Sequence, residues 1–350
     1  MPTSSSPLAR VKVSSDRVIG HVAGLRPFRP SGFVVKSEKF DKKTIIYNYG
    51  HGGCGVTLCW GTAQLALEEA VKTGQEHFAV LGCGVVGLAT ARLLQNEGFK
   101  ATIYAKELPP NTTSNVAAAV WFPVTFSETD KLTGDNLPSD FADTFSRACR
   151  FSHRYFQNLV GDNYGVRWLT IYFLSSRDLS QSHRMRTIEQ FPDLFPDTVL
   201  HREPRKFFGF PLAQRFRTLM IEPDVYLNAL VRDFQEGGGT VVTKEFHTHV
   251  ELAALPERVI VNCTGLGTRK LFNDNELVPV KGQLTLLLPQ PDIDYGYVVV
   301  DPDTDLYMFP RSDGILLGGT HERGEWSLEP DPKHVQRIVE GHERIARAAT

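Results

Sequence analysis

Alternation and periodicity divide the chain into strand-like and helix-like stretches. Val11 to Gly24 opens with alternation and runs into GLRPFRPSG (Gly24 to Gly32), where Pro27 and Pro30 disfavour a regular helix. Phe33 to Lys39 alternates as a strand does, and Thr44 to Tyr49 (TIIYNY) predicts a buried strand of β-branched and aromatic residues. The glycine-dense GHGGCGVT (Gly50 to Thr57) follows. From Trp60 to Val71 the period becomes helical, with Ala63, Leu65, Ala66, Leu67 and Ala70 apolar and Gly74 as C-cap. Phe78 to Leu81 is a short apolar strand, GCGVVG leads into a helix through Asn96, and Thr102 to Tyr104 is the next strand.

Leu108 to Phe126 is rich in loop residues. Leu137 to Leu159 predicts a helix carrying Phe141, Phe145, Phe151 and Phe156. Tyr164 to Ser175 and Phe207 to Ile221 predict strands, and Pro223 to Glu236 a helix closed by Gly237, Gly238 and Gly239. Val259 to Cys263 (VIVNC) is a buried strand entering TGLG. Short strands at sheet-like spacing follow at Gly282 to Leu287, Tyr297 to Val300, Tyr307 to Phe309 and Ile315 to Leu317. Pro332 to Ala348 is a final amphipathic helix.

Composition narrows the class. A chain of 350 residues can hold two domains with separate cores, and 41% hydrophobic with 22% charged residues is ordinary for a soluble protein. A formal charge of −2 gives no reason to expect nucleic acid or an anionic membrane as partner. No apolar run approaches the ~20 residues that span a bilayer. Met1 to Pro7 lacks the charged-then-apolar build of a secretory signal. Cys54, Cys59, Cys83, Cys149 and Cys263 show no zinc-ligand spacing, so no metal site is expected. They fit buried apolar filler in a reducing, intracellular compartment.

Gly82, Gly84 and Gly87 form G-x-G-x-x-G after a strand and before a helix, the context in which this spacing binds a dinucleotide. The first glycine permits the turn, the second admits the pyrophosphate, and the third lets helix and strand pack closely. Glu107, twenty residues after Gly87, can accept both ribose hydroxyls. The motif leaves NAD and FAD open. A return strand ending in Cys263, Thr264 and Gly265 would hold a long cofactor such as FAD from a second side. GHGGCGVT offers unobstructed backbone N–H groups before a helix, suited to negative charge. Arg26, between rigidifying residues, can hold a carboxylate bidentately. An isolated arginine is more often a surface ion pair, and Arg29 carries that reading unchanged.

Several segments together resemble the D-amino-acid oxidase family, which includes D-aspartate oxidase. They are GLRPFRP (24–30), NYGHGGCGVTLCWG (48–61), VLGCGVVGLATA (80–91) and IYAKELPPNTTSNVAAAVWFP (103–123). VIVNCTG (259–265), VKGQ (280–283) and LYMFPRSDGILLGGTHERGEW (306–326) extend the match. In the family the glycine-rich turn opens the chain and the GLRP and NYGHGG segments close it, whereas here those two come first. Pro332 to Thr350 resembles the stretch that precedes GLRP. The resemblance therefore implies a circular permutation, with the old termini joined through Lys72 to His77.

The implied fold class is α/β (α+β), an FAD-binding Rossmann-like domain beside a substrate domain with a large antiparallel sheet. The expected boundaries are 44–126 with 226–272 for FAD, then 10–43, 127–225 and 273–350 for substrate, with 1–9 a flexible lead-in. The implied activity is FAD-dependent oxidation of D-amino acids with molecular oxygen; D-aspartate oxidase and glycine or amine oxidase are the alternatives. An NAD-linked dehydrogenase is a further rival. By position, Arg26 resembles the carboxylate-binding arginine, the Gly53 carbonyl the amine acceptor, and Tyr307 a substrate-side tyrosine. Gly52, Gly53, Cys54, Gly55, Val56 and Thr57 resemble the segment along the flavin's pyrimidine edge. Thr113, Ser114, Ala118, Ala119 and Val120 resemble phosphate and ring contacts, and Phe246 a backbone contact to adenine. Gly82, Gly84, Val85, Val86, Gly87, Lys106, Glu107, Cys263, Thr264 and Gly265 complete the implied cofactor set.

Ala119 stands where glycine is usual, Cys54 where an aromatic is frequent, and Asp301 to Asp305 (DPDTD) fills the place of a second tyrosine. Arg215, Arg217 and Arg311 could favour an acidic substrate, although arginines near strands are more often solvated. A homodimer and a cytoplasmic or peroxisomal location fit the family. The ending Ala348-Ala349-Thr350 is not a peroxisomal tripeptide.

Overall fold

A computed structural model describes residues 8–124, 132, 137–179, 182–202, 208–301 and 304–348. The first seven residues of the expected lead-in, 125–126 of the expected FAD segment, Phe207, Pro302, Asp303, Ala349 and Thr350 lie outside the described residues. In chain order the first strands are β1 (Val18–Phe28), β2 (Val34–Phe40), β3 (Lys43–Tyr49), β4 (His77–Leu81) and β5 (Lys100–Ala105). Then come β6 (Val166–Ser175), β7 (Val199–His201), β8 (Leu212–Ile221), β9 (Thr240–Thr243) and β10 (Val259–Asn262). The last are β11 (Val278–Leu287), β12 (Tyr295–Val299), β13 (Leu306–Arg311), β14 (Gly314–Gly318) and β15 (Glu322–Arg323). The helices are α1 (Gly55–Val71), α2 (Val85–Asn96), α3 (Phe141–Asn158) and α4 (His183–Gln190). They continue with α5 (Pro223–Glu236), α6 (His249–Ala253), α7 (Gly267–Leu271) and α8 (Pro332–Ala348).

A six-stranded sheet runs β2-β3-β10-β4-β5-β9, parallel throughout except for β2 at its edge. Helices or loops cover both faces of its centre, so β10 is buried at every residue and β4 from Phe78 onward. That is why both read as unbroken apolar runs. β2 pairs with β3 from Val34↔Tyr49 to Phe40↔Lys43, which carries residues 34–43 with this sheet and away from the segment before them.

A nine-stranded sheet runs β1-β11-β14-β13-β12-β6-β8-β7, with β15 added beside β11. β1 continues through Pro27, which lies opposite Pro279. An edge strand tolerates proline because its outer side needs no N–H donor. The Trp60–Val71 helix starts earlier than expected, at Gly55, because the amides of a first helical turn need no intrahelical acceptor. β9, α4 and α6 were too short to show a period. α8 covers the far face of the large sheet with Ile338 and Ile345, in one apolar cluster with Val11, Leu174 and Met308.

His342 of α8 is fully buried, with Nδ1 2.6 Å from the Tyr297 hydroxyl and Nε2 3.4 Å from the Gly318 carbonyl. Burial lowers its pKa to about 4, and that of buried His51 to about 3. The unfolded chain binds these protons first, so stability is complete above about pH 6.5 and falls as pH drops toward 4. Urea midpoints measured from pH 7 to pH 4 should decline, and His342→Gln should flatten that decline while lowering the midpoint at pH 7.

Candidate active site

At the end of β4 the backbone turns through Gly82 at φ +103°, where an added Cβ would stand 2.6 Å from the Cys263 carbonyl oxygen. A Cβ on Gly87 would meet the Gly82 carbonyl at 2.0 Å, so α2 can sit this close to β4 only without a side chain. β10 delivers Cys263 and Thr264 behind the same turn. Thr264 Oγ1 donates to Asn262 Oδ1 at 2.7 Å, and Gly265 takes φ +54°. Ser114, in the short turn Thr113–Val116, accepts a 3.0 Å hydrogen bond from the Val85 amide at the start of α2.

Val56, Val85, Ser114, Ala119, Ile221, Pro223, Tyr226 and Leu227 line a narrow gap with no room for a water molecule, at which the first turns of α1, α2 and α5 meet. Three helix N-termini and a glycine turn suit an anionic dinucleotide. Val86 follows in the first turn of α2. Lys106 and Glu107 are exposed just past β5, and the Phe246 ring stands 5.8 Å from Tyr104 of that strand. Ala119 occupies the left-handed region at φ +57°, unusual for a residue with a Cβ, while its carbonyl accepts from the Ile221 amide at 2.9 Å. Its neighbour Val120 bridges to Met220, and Ala118 is half-buried.

The glycine-dense loop forms a short turn, Gly52–Cys54, that packs against β1 and runs into α1. Gly52 sits at φ +57° and Gly53 is exposed. Cys54 Sγ donates to the Val124 carbonyl at 2.7 Å and Thr57 Oγ1 to the Phe122 carbonyl at 3.2 Å, which ties the loop to the 118–124 segment. Arg26 projects from β1 with its guanidinium over Gly282, where an added Cβ would lie 2.5 Å from Nη2, and Nη1 donates to the Thr320 carbonyl at 3.3 Å. The Tyr307 ring lies in the same way over Gly318, whose added Cβ would be 2.1 Å from Cζ. Burial raises the pKa of its hydroxyl, and the nearby charge of Arg26 partly offsets that.

A polar group beside this pair was not among the expected site residues. His321 Nδ1 contacts the Asp305 carboxylate, and the charges of Arg26 and Arg184 act on both. Asp305 and His321 could have been found as the polar residues flanking YMFP and GGT. Arg184, on a helix without clear periodicity, had no such signal. Of the arginines weighed for an acidic substrate, Arg217 and Arg311 are paired elsewhere, while the buried Nε of Arg215 has no hydrogen-bond partner among the described residues. Arg217 lies 3.8 Å from Asp197 and over Trp168, Arg311 pairs with Asp313, and Arg215 stands opposite Tyr172 on β6. Arg29 binds Asp274 at 2.8 Å and Glu276 at 2.5 Å with 15% of its side chain exposed. It is a half-buried tie, where a surface ion pair was expected.

Residues 77–348 match the model of the DAO family, described as FAD dependent oxidoreductase. The chain belongs to this family. Among curated proteins it is 32% identical to a D-amino-acid oxidase of Rubrobacter xylanophilus over 74% of each chain. It is 29% identical to human D-aspartate oxidase, covering 75% of this chain and 74% of that one. Among solved structures, glycine oxidase from Bacillus cereus superposes with a TM-score of 0.56 at 16% identity, covering 77% of this chain and 78% of that one. The protein is thus an FAD-dependent oxidoreductase with the mixed α/β fold of flavin oxidases. No described helix is long and apolar enough to cross a membrane.

The crowding behind Gly82 makes a direct prediction for an FAD-dependent oxidoreductase. Gly82→Ala forces a Cβ into left-handed backbone, costing roughly 1–2 kcal/mol, and against a carbonyl besides. The purified variant should lose most of its flavin absorbance relative to protein, whereas a fully yellow variant would contradict this account of the turn.

Proposed function

We propose that the chain oxidises D-amino acids, with oxygen and water, to 2-oxo acids, ammonia and hydrogen peroxide. The observation that carries this reading is that Arg26 and Tyr307 each lie over a strand glycine, Arg26 on the strand beside the turn that opens α1 and Tyr307 on a near neighbour of it. Arg26 and the Tyr307 hydroxyl hold the α-carboxylate, and the Gly53 carbonyl accepts a hydrogen bond from the amine. With two substituents fixed, the α-hydrogen and the side chain share the two remaining directions, and only the enantiomer whose α-hydrogen faces the hydride acceptor would react. The chemistry that FAD supplies when bound is acceptance of the α-hydrogen as hydride and return of the electrons to oxygen. Gly52 to Thr57, at the start of α1, offer backbone N–H groups and a positive helix end that would stabilise negative charge developing on the cofactor. No side-chain base is needed, because orientation and this electrostatic field do the work.

For the cofactor we assign Gly82, Gly84, Val85, Val86, Gly87, Ser114 and Thr264 to the phosphates, Lys106 and Glu107 to the ribose end, and Phe246 to adenine. The FAD domain comprises 44–126 and 226–272, with β2 as an added edge strand, and the rest of the folded chain forms the substrate domain. Circular permutation accounts for the segment order. In support, the family match runs from 77 to 348, which leaves GLRPFRP and NYGHGG outside it, and Val11 shares an apolar cluster with Ile345 near the end of α8. A chain opened at exposed Gly74 and joined from α8 to Val11 should fold with FAD and keep activity; a flavin-free product would refute the permuted order. The free cysteines accord with an intracellular location, cytoplasmic or peroxisomal.

Anaerobic mixing with a panel of D-amino acids should bleach the yellow protein, while L-amino acids should not. Bleaching by glycine or sarcosine alone would replace this reading with a glycine-type oxidase. Arg26→Ala should raise KM and lower kcat/KM on the order of 10²- to 10³-fold. Near-normal kinetics would remove Arg26 from the substrate site.

A further inference from the structure

The carboxylate clamp depends on two strand positions that have no side chain. Gly282 lies in the interior of β11 and Gly318 at the end of β14, both in the large sheet. Glycine weakens a strand, since it has nothing to pack and the most backbone freedom to lose. Neither residue has the left-handed φ that would require glycine. An alanine would suit the backbone at both places.

What an alanine would meet is one functional side chain in each case. All three nearest atoms to a Cβ on Gly282 are the Nη2, Nη1 and Cζ of Arg26, at 2.5, 2.6 and 2.7 Å. For Gly318 they are Cζ, Cε2 and Oη of Tyr307, at 2.1, 2.2 and 2.5 Å. Register explains the pairing. Gly24 is directly opposite Gly282, so Arg26 reaches diagonally across the β1–β11 pair, and Tyr307 is directly opposite Gly318. β11 and β14 are adjacent, with Leu284 opposite Gly318. The two glycines thus leave neighbouring gaps in one sheet, and each gap holds the functional end of a long side chain against backbone.

We propose that Gly282 and Gly318 are positioning residues that set the depth and tilt of the Arg26–Tyr307 clamp, and so its preference for substrates with an α-carboxylate. The inference rests on the reading of Arg26 and Tyr307 as the carboxylate clamp. A guanidinium is the far end of a flexible side chain, so Gly282→Ala should leave the fold intact while raising Arg26 from its seat. Misplacement of this size can cost on the order of a hundredfold in rate.

The test uses the holoenzyme. In Gly282→Ala, flavin content and thermal midpoint should stay near wild type. KM for the best D-amino acid should rise by about tenfold or more, with a smaller change in kcat. Binding of propionate, a carboxylate without an amine, should weaken in parallel when followed by the flavin spectrum. In the Arg26→Ala background the same glycine substitution should add almost nothing, because its effect passes through the arginine. Gly318→Ala should behave alike in a Tyr307→Phe cycle, which serves if Gly282→Ala folds poorly. Unchanged KM and propionate affinity in a folded Gly282→Ala enzyme would overturn the proposal, as would additive effects in the cycle. A wild-type protein that no D-amino acid reduces would instead overturn the functional reading beneath it.

Discussion

The pairing of β1 with β11 runs without interruption from Gly20↔Leu286 to Phe28↔Val278, and the site depends on that register. It fixes Arg26 one diagonal step from Gly282. It also brings the end of β1 against the Gly52–Cys54 turn, through contacts that include the Phe28–His51 bridge. Gly24 on the same strand meets Val116, in the turn that carries Ser114. A slip of one residue would turn Arg26 to the opposite face and separate these contacts. One strand therefore connects Arg26 to the turn that opens α1 and to the loop beside the start of α2.

The nucleotide half was legible in the sequence because its signals are local. Phe78–Leu81, GCGVVG and the following helix form one uninterrupted unit, and a spacing rule with a backbone cause stands behind it. VIVNC was readable for a related reason, since a strand covered on both faces shows as a continuous apolar run. The substrate half is held by contacts distant in sequence. Arg26 meets Thr320, and Asp305 meets His321 across the β13–β14 hairpin. No period announces such meetings. Gly282 and Gly318 were visible, but a strand glycine signals only that something approaches closely, and what approaches is decided by register. For β1 the alternation ahead of Gly24 was legible and the prolines spoke only against a helix; that the strand continues through Pro27 depends on its edge position, which is a property of the sheet.

The same register settles how charge is balanced around the clamp. Burial alone would raise the pKa of Asp305. The hydrogen bond and charge of His321, with Arg184 and Arg26, more than offset this and hold it at about 2. His321 moves the other way, lowered by burial first and then by the charge of Arg26, while its bond to Asp305 pulls it back up. Arg26 and Arg184 thus both act on the Asp305–His321 contact, and a change of charge at any one of these groups is felt at the others. Under the proposed function, an α-carboxylate held by Arg26 enters this same field, so its binding is coupled to the protonation of the Asp305–His321 pair.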